Sequence, residues 1–410
     1  MSLNDHKYLP YGRQSLDDDD IQAVVEVLQG DWLTTGPTIQ KFEDKLRQAV
    51  KSDYVVSCSS GTAALHMAYM ALEVGPTDRV IVPAISFVAT ANAAVYCGAD
   101  ILFTDVDPDT GLMRAEDVMA LIDSLDHEAL QSIAAITPVN LTGEVAEIEA
   151  IGVISRKYGW KMIVDSCHAL GSTYQDSCGV VRTVGDCHFA DMEVFSFHPV
   201  KTIAMGEGGA VTTNDQALYD RLCLLRNHGI ERDAEKWVSV SGGETETPPP
   251  WVYEMQILGY NYRQSDIHCA LGASQLNKLT KFTDHRRRLV AKYDEMLLGL
   301  SPHIKSINPA RGCSAARHLY VLLIDFTALG VSRFDFTREL SSRNVGSQVH
   351  YIPIYAQPFY VEKYGVQIKP GAEEYYARTL SLPLYADMSM NDVDFVVEQI
   401  SDIVNSIAAR

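Results

Sequence analysis

Hydrophobic positions along the chain follow two different periods. After Asp17-Asp18-Asp19-Asp20, Ile21, Val24, Val25 and Leu28 recur at helical spacing until Gly30 stops the run. Aspartates favour the positive end of a helix dipole, so the acidic cluster reads as a helix start rather than a metal site. A second helix follows Pro37, with Ile39, Phe42 and Leu46 on one face. From residue 54 the pattern alternates short β-rich runs with helical ones. Strands are predicted at Tyr54–Ser57, Arg79–Val82, Ile101–Thr104, Ile133–Val139, Lys161–Asp165 and Glu193–Phe197. Helices are predicted at Thr62–Leu72 and near Ile148–Tyr158. Such alternation builds a mostly parallel sheet with helices on both faces. Ligands of such sheets sit at the carboxyl ends of the strands.

The pattern changes near residues 240–260. Ser241–Pro250, SGGETETPPP, is acidic and proline-rich and predicts an exposed loop. Beyond it, helices are expected near Asp266–Leu279, Arg286–Leu298 and Phe334–Arg343, and strands at Leu319–Ile324 and near Gln348–Tyr351. A last helix starts at Asp392. This is a second, smaller α/β unit. The division expected is an arm (1–14), a large domain (15–255) and a small C-terminal domain (256–410), in keeping with the length. No internal repeat is visible.

Composition narrows the function. With 47% hydrophobic and 21% charged residues, the 410-residue chain has ample material for a large core. A net charge of -19 argues against non-specific nucleic-acid binding and against docking on an anionic membrane. No 18-residue apolar span occurs, and the amino terminus lacks the apolar core of a signal peptide. The eight cysteines are scattered without a CxxC, which predicts reduced thiols in a cytoplasmic protein. Cys167-His168, Cys178 and Cys187-His188 match no compact zinc spacing, so no metal is expected.

Three stretches carry chemistry. Ser59-Ser60-Gly61-Thr62-Ala63 joins a strand to a helix, and its small residues let backbone N–H groups approach an anion such as a phosphate. A plain strand-to-helix turn explains it as well. Asp165 ends the apolar strand Ile163-Val164-Asp165. A carboxylate at a buried strand mouth needs a donor or a cation. It reads either as a helix N-cap or as the partner of a protonated ring nitrogen, a requirement of pyridoxal phosphate chemistry. Lys201 lies between a strand ending at Phe197 and the turn Gly206-Glu207-Gly208-Gly209. A solvated surface lysine would leave that turn unexplained, whereas an amine beside a phosphate site can form a Schiff base. Ser196 adds a hydroxyl, and Phe87 an aromatic face.

Seven motifs in order resemble the DegT/DnrJ/EryC1/StrS sugar aminotransferases, pyridoxal-phosphate enzymes of fold type I. They are TTGP (34–37), SSGTAAL (59–65), SFVATANA (86–93), DSCHALGS (165–172), FSFHPVKTIAMGEGGAV (195–211), RNHG (226–229) and GYNYRQSDIHCALG (259–272). HPVK, GYNYR and QVHYIPIY (348–355) are most similar to the branch that aminates C4 of a UDP-linked 4-keto-6-deoxy-N-acetylhexosamine, which makes the altrosamine-type precursor of pseudaminic acid. The resemblance implies a large, mostly parallel seven-stranded sheet domain and a smaller C-terminal α/β domain. It implies that Lys201 carries the cofactor, Asp165 pairs with the pyridine nitrogen, and His168 lies near the ring's 3-hydroxyl, where the family has Gln or His. Phe87 would stack on the ring, and Gly61, Thr62 and Ser196 would hold the phosphate. Asn261 would reach the cofactor of the neighbouring subunit in a homodimer with shared sites. Thr35, His350 and Tyr351 would lie near the sugar nucleotide, and L-glutamate would be the amino donor.

Two positions depart from the family pattern: Asn140 replaces a histidine often found there, and Glu144 replaces an amide. They leave the sugar open. A dTDP-linked sugar, amination at C3, a non-sugar carbonyl substrate and a non-catalytic regulator are the alternatives.

Overall fold

The computed structural model of the chain describes residues 7–238, 249–307 and 312–409. Most of the acidic loop expected at Ser241–Pro250, and the first residues of the expected arm, lie outside the described residues.

Seven strands form the central sheet: β1 (Tyr54–Cys58), β2 (Arg79–Pro83), β3 (Asp100–Thr104), β4 (Ile133–Ile136), β5 (Lys161–Asp165), β6 (Met192–Ser196) and β7 (Gly209–Thr213). Their spatial order is β1-β7-β6-β5-β4-β2-β3. Neighbours from β6 to β3 run parallel, and β7 lies antiparallel to both β1 and β6. The mostly parallel sheet that the alternation predicts is thus present, with the seven strands that the family resemblance implies. Val56, Ile81, Val82, Ile136, Ile163, Val164 and Val194 are fully buried, as strands covered on both faces must be.

The first two helices, Asp18–Gln29 and Pro37–Val50, form as expected. Asp17 caps the first by accepting from the N–H groups of Asp19 and Asp20. Asp20 is buried and pairs with Lys278 at 2.8 Å, which ties this helix to a residue 258 positions away. The helix Asp266–Leu276 packs against both. The acidic run is therefore structural on both counts.

C-terminally, strands Ile304–Ser306, Tyr320–Ile324 and Thr379–Leu382 form a second, three-stranded sheet. It is covered by the helices Leu279–Leu297 and Met390–Ala408, and Leu289, Tyr293, Phe336, Val396 and Ile400 fill a second core. The helix expected at Arg286–Leu298 begins seven residues earlier, at Leu279. Phe282, Thr283, Arg286, Leu289, Tyr293 and Leu297 carry one continuous buried face, which Arg286 and Thr283 disguise as polar in the sequence. The strand expected near Gln348–Tyr351 reduces to a single bridge between Gln348 and Ser381. The His350 imidazole turns to the Ser381 hydroxyl, 2.8 Å away, and the chain then leaves the sheet edge. Gly209–Thr213 is a strand where only a glycine-rich turn was expected, and helices at Ala89–Tyr96, Ala115–Ser124 and Gln216–Arg226 complete the layers.

Candidate active site

A cavity of about 520 Å³ opens at the carboxyl ends of the central strands. Gly61, Thr62, Phe87, Asp165, His168, Ser196, Lys201, His350 and Tyr351 all line it. Residues spread over 290 positions therefore meet at one place. Lys201 is positioned by a loop closed at both ends: Phe197 N–H donates to Gly208 O at 2.8 Å, and Met205 N–H donates to Phe197 O at 2.9 Å. Burial lowers the Lys201 pKa from its usual 10.5, while Cys167 and Asp165 act against that shift. A desolvated amine of this kind is a better nucleophile and proton acceptor near neutrality than a surface lysine.

Asp165, at the end of β5, is held by neutral donors. Its Oδ2 accepts from the Thr90 hydroxyl at 2.8 Å and its Oδ1 from the Cys167 N–H at 3.2 Å. Ser86 lies 2.7 Å from the Thr90 hydroxyl, and Tyr69 donates to Thr90 O at 3.2 Å. No helix begins here, so the N-cap reading of Asp165 does not apply. Among the described residues no lysine or arginine makes an ion pair with this carboxylate, which leaves it available to a cation in the cavity.

The Ser59–Ala63 turn starts the helix Gly61–Ala71. Ser60 spends its side chain on the cap, accepting from Ala63 N–H at 3.1 Å. That leaves the first-turn N–H groups of Gly61 and Thr62 for an anion. The fit is close. A Cβ on Gly61 would sit 2.8 Å from Ser196 Cβ, and one on Gly209 would sit 2.2 Å from Ser60 O. Two glycines thus press the turn onto β6 and β7 and bring the Ser196 hydroxyl beside it. An anion cradle, a desolvated amine and an unpaired carboxylate facing one cavity are the donor set that a phosphorylated cationic ring with an aldehyde needs.

Three imidazoles surround the amine. Burial, reinforced by Lys201, holds His168 and His318 well below the usual 6.5 and pushes His350 down to about 3. Tyr351 packs across His350, with ring centroids 4.8 Å apart, and its ring lies 6.0 Å from that of Phe87.

Thr35 and Asn261 do not reach this cavity. Thr35 lines a separate cleft with Arg226, Asn227, Arg232 and Arg263. Asn261 is exposed and bridges to Asn227 beside that cleft. The two departures from the family pattern also lie elsewhere. Asn140 donates to Ser166 Oγ at 3.0 Å, and Ser166 donates to Glu193 at 2.8 Å, behind Asp165. Glu144 is buried in an ion pair with Arg317, at 2.7 Å. Sequence reading missed Thr90, Ser86, Thr142 and His318. The four-residue spacing of Ser86 and Thr90 inside SFVATANA signals a shared face, but nothing in it points to Asp165. Among the described residues no group of three His, Cys, Asp or Glu side chains is arranged to hold a metal, and no helix is long and apolar enough to cross a membrane.

Residues 14–401 match the sequence model of the DegT/DnrJ/EryC1/StrS aminotransferase family. The chain is 34% identical over 400 residues to the spore coat polysaccharide biosynthesis protein SpsC of Bacillus subtilis, covering 97% of each. Helicobacter pylori PseC, an aminotransferase of pseudaminic acid biosynthesis, superposes with a TM-score of 0.86 at 29% identity, covering 98% of this chain and 100% of that one. A putative sugar aminotransferase of Streptococcus pneumoniae in its pyridoxal phosphate form gives 0.83 at 26% identity over 98% and 99%. The chain belongs to the DegT/DnrJ/EryC1/StrS aminotransferase family.

Proposed function

We propose that this chain is a pyridoxal-phosphate-dependent aminotransferase that moves an amino group from L-glutamate to C4 of a UDP-linked 4-keto-6-deoxy-N-acetylhexosamine. The observation that carries the reading is the convergence of Lys201, Asp165 and the Gly61–Thr62 turn on one cavity. Gly61, Thr62 and Ser196 would hold the phosphate, Asp165 would pair with the ring nitrogen, and Phe87 would cover one ring face. The bound cofactor supplies an electron sink for charge developing on the donor's α-carbon. Lys201, its pKa lowered by burial, accepts the α-proton and returns it to the acceptor side. Glutamate and the sugar alternate in the same cavity, where Tyr351 and His350 face the sugar.

PseC's role and the QVHYIPIY stretch support the sugar assignment and a pseudaminic acid precursor as product. The position of Thr35 in a separate cleft, with Asn261 bridged to Asn227 beside it, supports a homodimer in which those residues complete the neighbour's site. The similarity to SpsC favours a second reading, another nucleotide-linked keto sugar of a surface polysaccharide. Purified protein should be coloured, and Lys201→Ala should lose both the colour and turnover. A panel of UDP- and dTDP-linked keto sugars with glutamate, read by mass, separates the two sugar readings. Near wild-type turnover in Lys201→Ala would refute the mechanism.

A further inference from the structure

Beside the Lys201 amine, the hydrogen-bond polarity of the cavity is set by a main-chain group. Thr142 sits in the turn Leu141–Gly143 with φ +62° and ψ −5°, a left-handed conformation that β-branched residues rarely adopt. The surroundings hold the turn there. A Cβ on Gly143 would meet Ala316 O at 2.6 Å, Ser172 Oγ donates to Gly143 O at 2.7 Å, and Ala316 N–H donates to Ser172 Oγ at 2.8 Å. Strain that the surroundings enforce at a cavity wall is a pointer to function. Here it turns the Thr142 peptide so that its C=O accepts from His318 N–H at 2.9 Å and its N–H faces His168 Nδ1 at 3.3 Å.

An N–H facing Nδ1 requires a lone pair on that nitrogen. The single proton of a neutral imidazole then sits on Nε2. His168 is buried, and that burial, with Lys201 and His350 beside it, holds the ring well below its usual 6.5 and so disfavours a second proton. The His318 ring packs against it, with centroids 4.6 Å apart at 61°. Nε2 lies 3.3 Å from Tyr351 Oη. With the proton on Nε2, Tyr351 must accept, and its own hydroxyl proton has no acceptor among the described residues. It is directed into the cavity.

We propose that the Thr142 main chain is a positioning group that locks His168 in the Nε2–H tautomer, so that His168 donates to Tyr351 and the Tyr351 hydroxyl in turn donates to an oxygen atom bound in the cavity of Lys201. The oxygen is an acceptor of either source, a ring oxygen of the cofactor or the keto oxygen of the substrate. The second source rests on the function proposed above; the tautomer lock does not. Glutamine at position 168 satisfies the same polarity, with its amide oxygen toward Thr142 and its NH₂ toward Tyr351. Glutamate has nearly the same shape and cannot donate.

The test compares the cofactor-loaded wild type with His168→Gln, His168→Glu and Tyr351→Phe. In [15N]histidine-labelled protein, the resonance pair lost in His168→Gln should show an unprotonated Nδ1 and a protonated Nε2, unchanged from pH 6 to pH 9. If the acceptor is the cofactor's oxygen, the pH midpoint of the visible absorbance moves in His168→Glu and Tyr351→Phe and returns toward wild type in His168→Gln. If it is the substrate's oxygen, the absorbance titration stays put and the keto-sugar KM rises about tenfold in the first two variants, with rescue by Gln. A protonated Nδ1, titration of His168 inside that pH range, or a Glu variant indistinguishable from the Gln variant in both assays would overturn the proposal. If wild type turns over no nucleotide-linked keto sugar, the substrate reading fails while the NMR result still decides this one.

Discussion

Replacing Gly209 with alanine tests whether the anion cradle depends on main-chain contact. Gly209 opens β7 and is paired on both sides, with Cys58 of β1 and Ser196 of β6, so it cannot retreat. A methyl group there would lie 2.2 Å from Ser60 O, 2.4 Å from Ser60 C and 2.7 Å from Gly61 N, all main-chain atoms. Reaching an ordinary 3.4 Å contact from 2.2 Å pushes the turn away by about 1.2 Å. A displacement of about 1 Å breaks hydrogen bonds that tolerate only a few tenths of an ångström. Two N–H donors, on Gly61 and Thr62, are lost to the phosphate; at about 1.5 kcal/mol each for an anionic acceptor, cofactor affinity falls about 10²-fold. Overpacking costs the fold about 1–3 kcal/mol, less than the 5–15 kcal/mol that stabilises a typical domain, so the variant stays folded. Thermal denaturation and absorbance-monitored cofactor titration measure the two effects separately. Gly208→Ala is the control, because its methyl would meet only the side chains of Gln264, Met205 and Phe197, at 3.1–3.3 Å. A Gly209→Ala protein that binds the cofactor within threefold of wild type would refute the reasoning.

Three further outcomes are expected. Thr90→Val removes the hydroxyl that donates to Asp165 Oδ2, and turnover should fall about tenfold with a shifted visible absorbance, since a hydrogen bond to a charged group contributes about 1.5 kcal/mol or more; unchanged spectrum and rate would show that Asp165 is held without it. Glu193, whose pKa burial pushes up to about 7 from the usual 4.5, binds more protons folded than unfolded in that interval, so wild-type stability falls as pH rises from 4.5 to 7. Urea unfolding should show the Glu193→Gln variant gaining on wild type by on the order of 3 kcal/mol between pH 4 and pH 8, and a pH-independent difference would contradict the shift. Lys201 is charged below its lowered pKa and neutral above it, so the rate at which apoprotein recaptures the cofactor should climb with pH and level off before 10.5; a rise that continues to 10.5 would mean the amine is solvated.

Much of this protein is legible in its sequence because parallel strands buried on both faces read as short apolar runs, and these end where the site begins. Asp165 and Ser196 were visible for that reason, since each ends an apolar strand, and Lys201 because it follows the second strand in the loop before a glycine-rich turn. Period alone failed where buried polar residues interrupt a face, as Thr283 and Arg286 do in the helix that starts at Leu279. It failed again at Gln348–Tyr351, where alternation suggested a strand but His350 is anchored to Ser381 and leads the chain out of the sheet.

What stayed hidden in the site is of one kind. Thr142 and His318 lie in none of the quoted motifs, and in sequence the face that Thr90 shares with Ser86 does not point to Asp165; all three act through groups that the motifs do mark. Thr90 acts on Asp165 through a side chain, whereas Thr142 acts on His168 through an N–H that every residue except proline carries. Residue type therefore holds no trace of the second role; only φ +62° and the packing of Gly143 on Ala316 reveal it. The same logic explains the two departures from the family pattern. Asn140 and Glu144 looked like changes in substrate contact because they lie beside motif residues in sequence. In space they face Ser166 and Arg317, away from the cavity, so they shape the support of Asp165 and the Thr142 turn. Sugar selection then falls to the residues that do face the cavity, and among those Tyr351, the donor in the tautomer proposed above, is the group whose removal separates a positioned donor from a merely bulky wall.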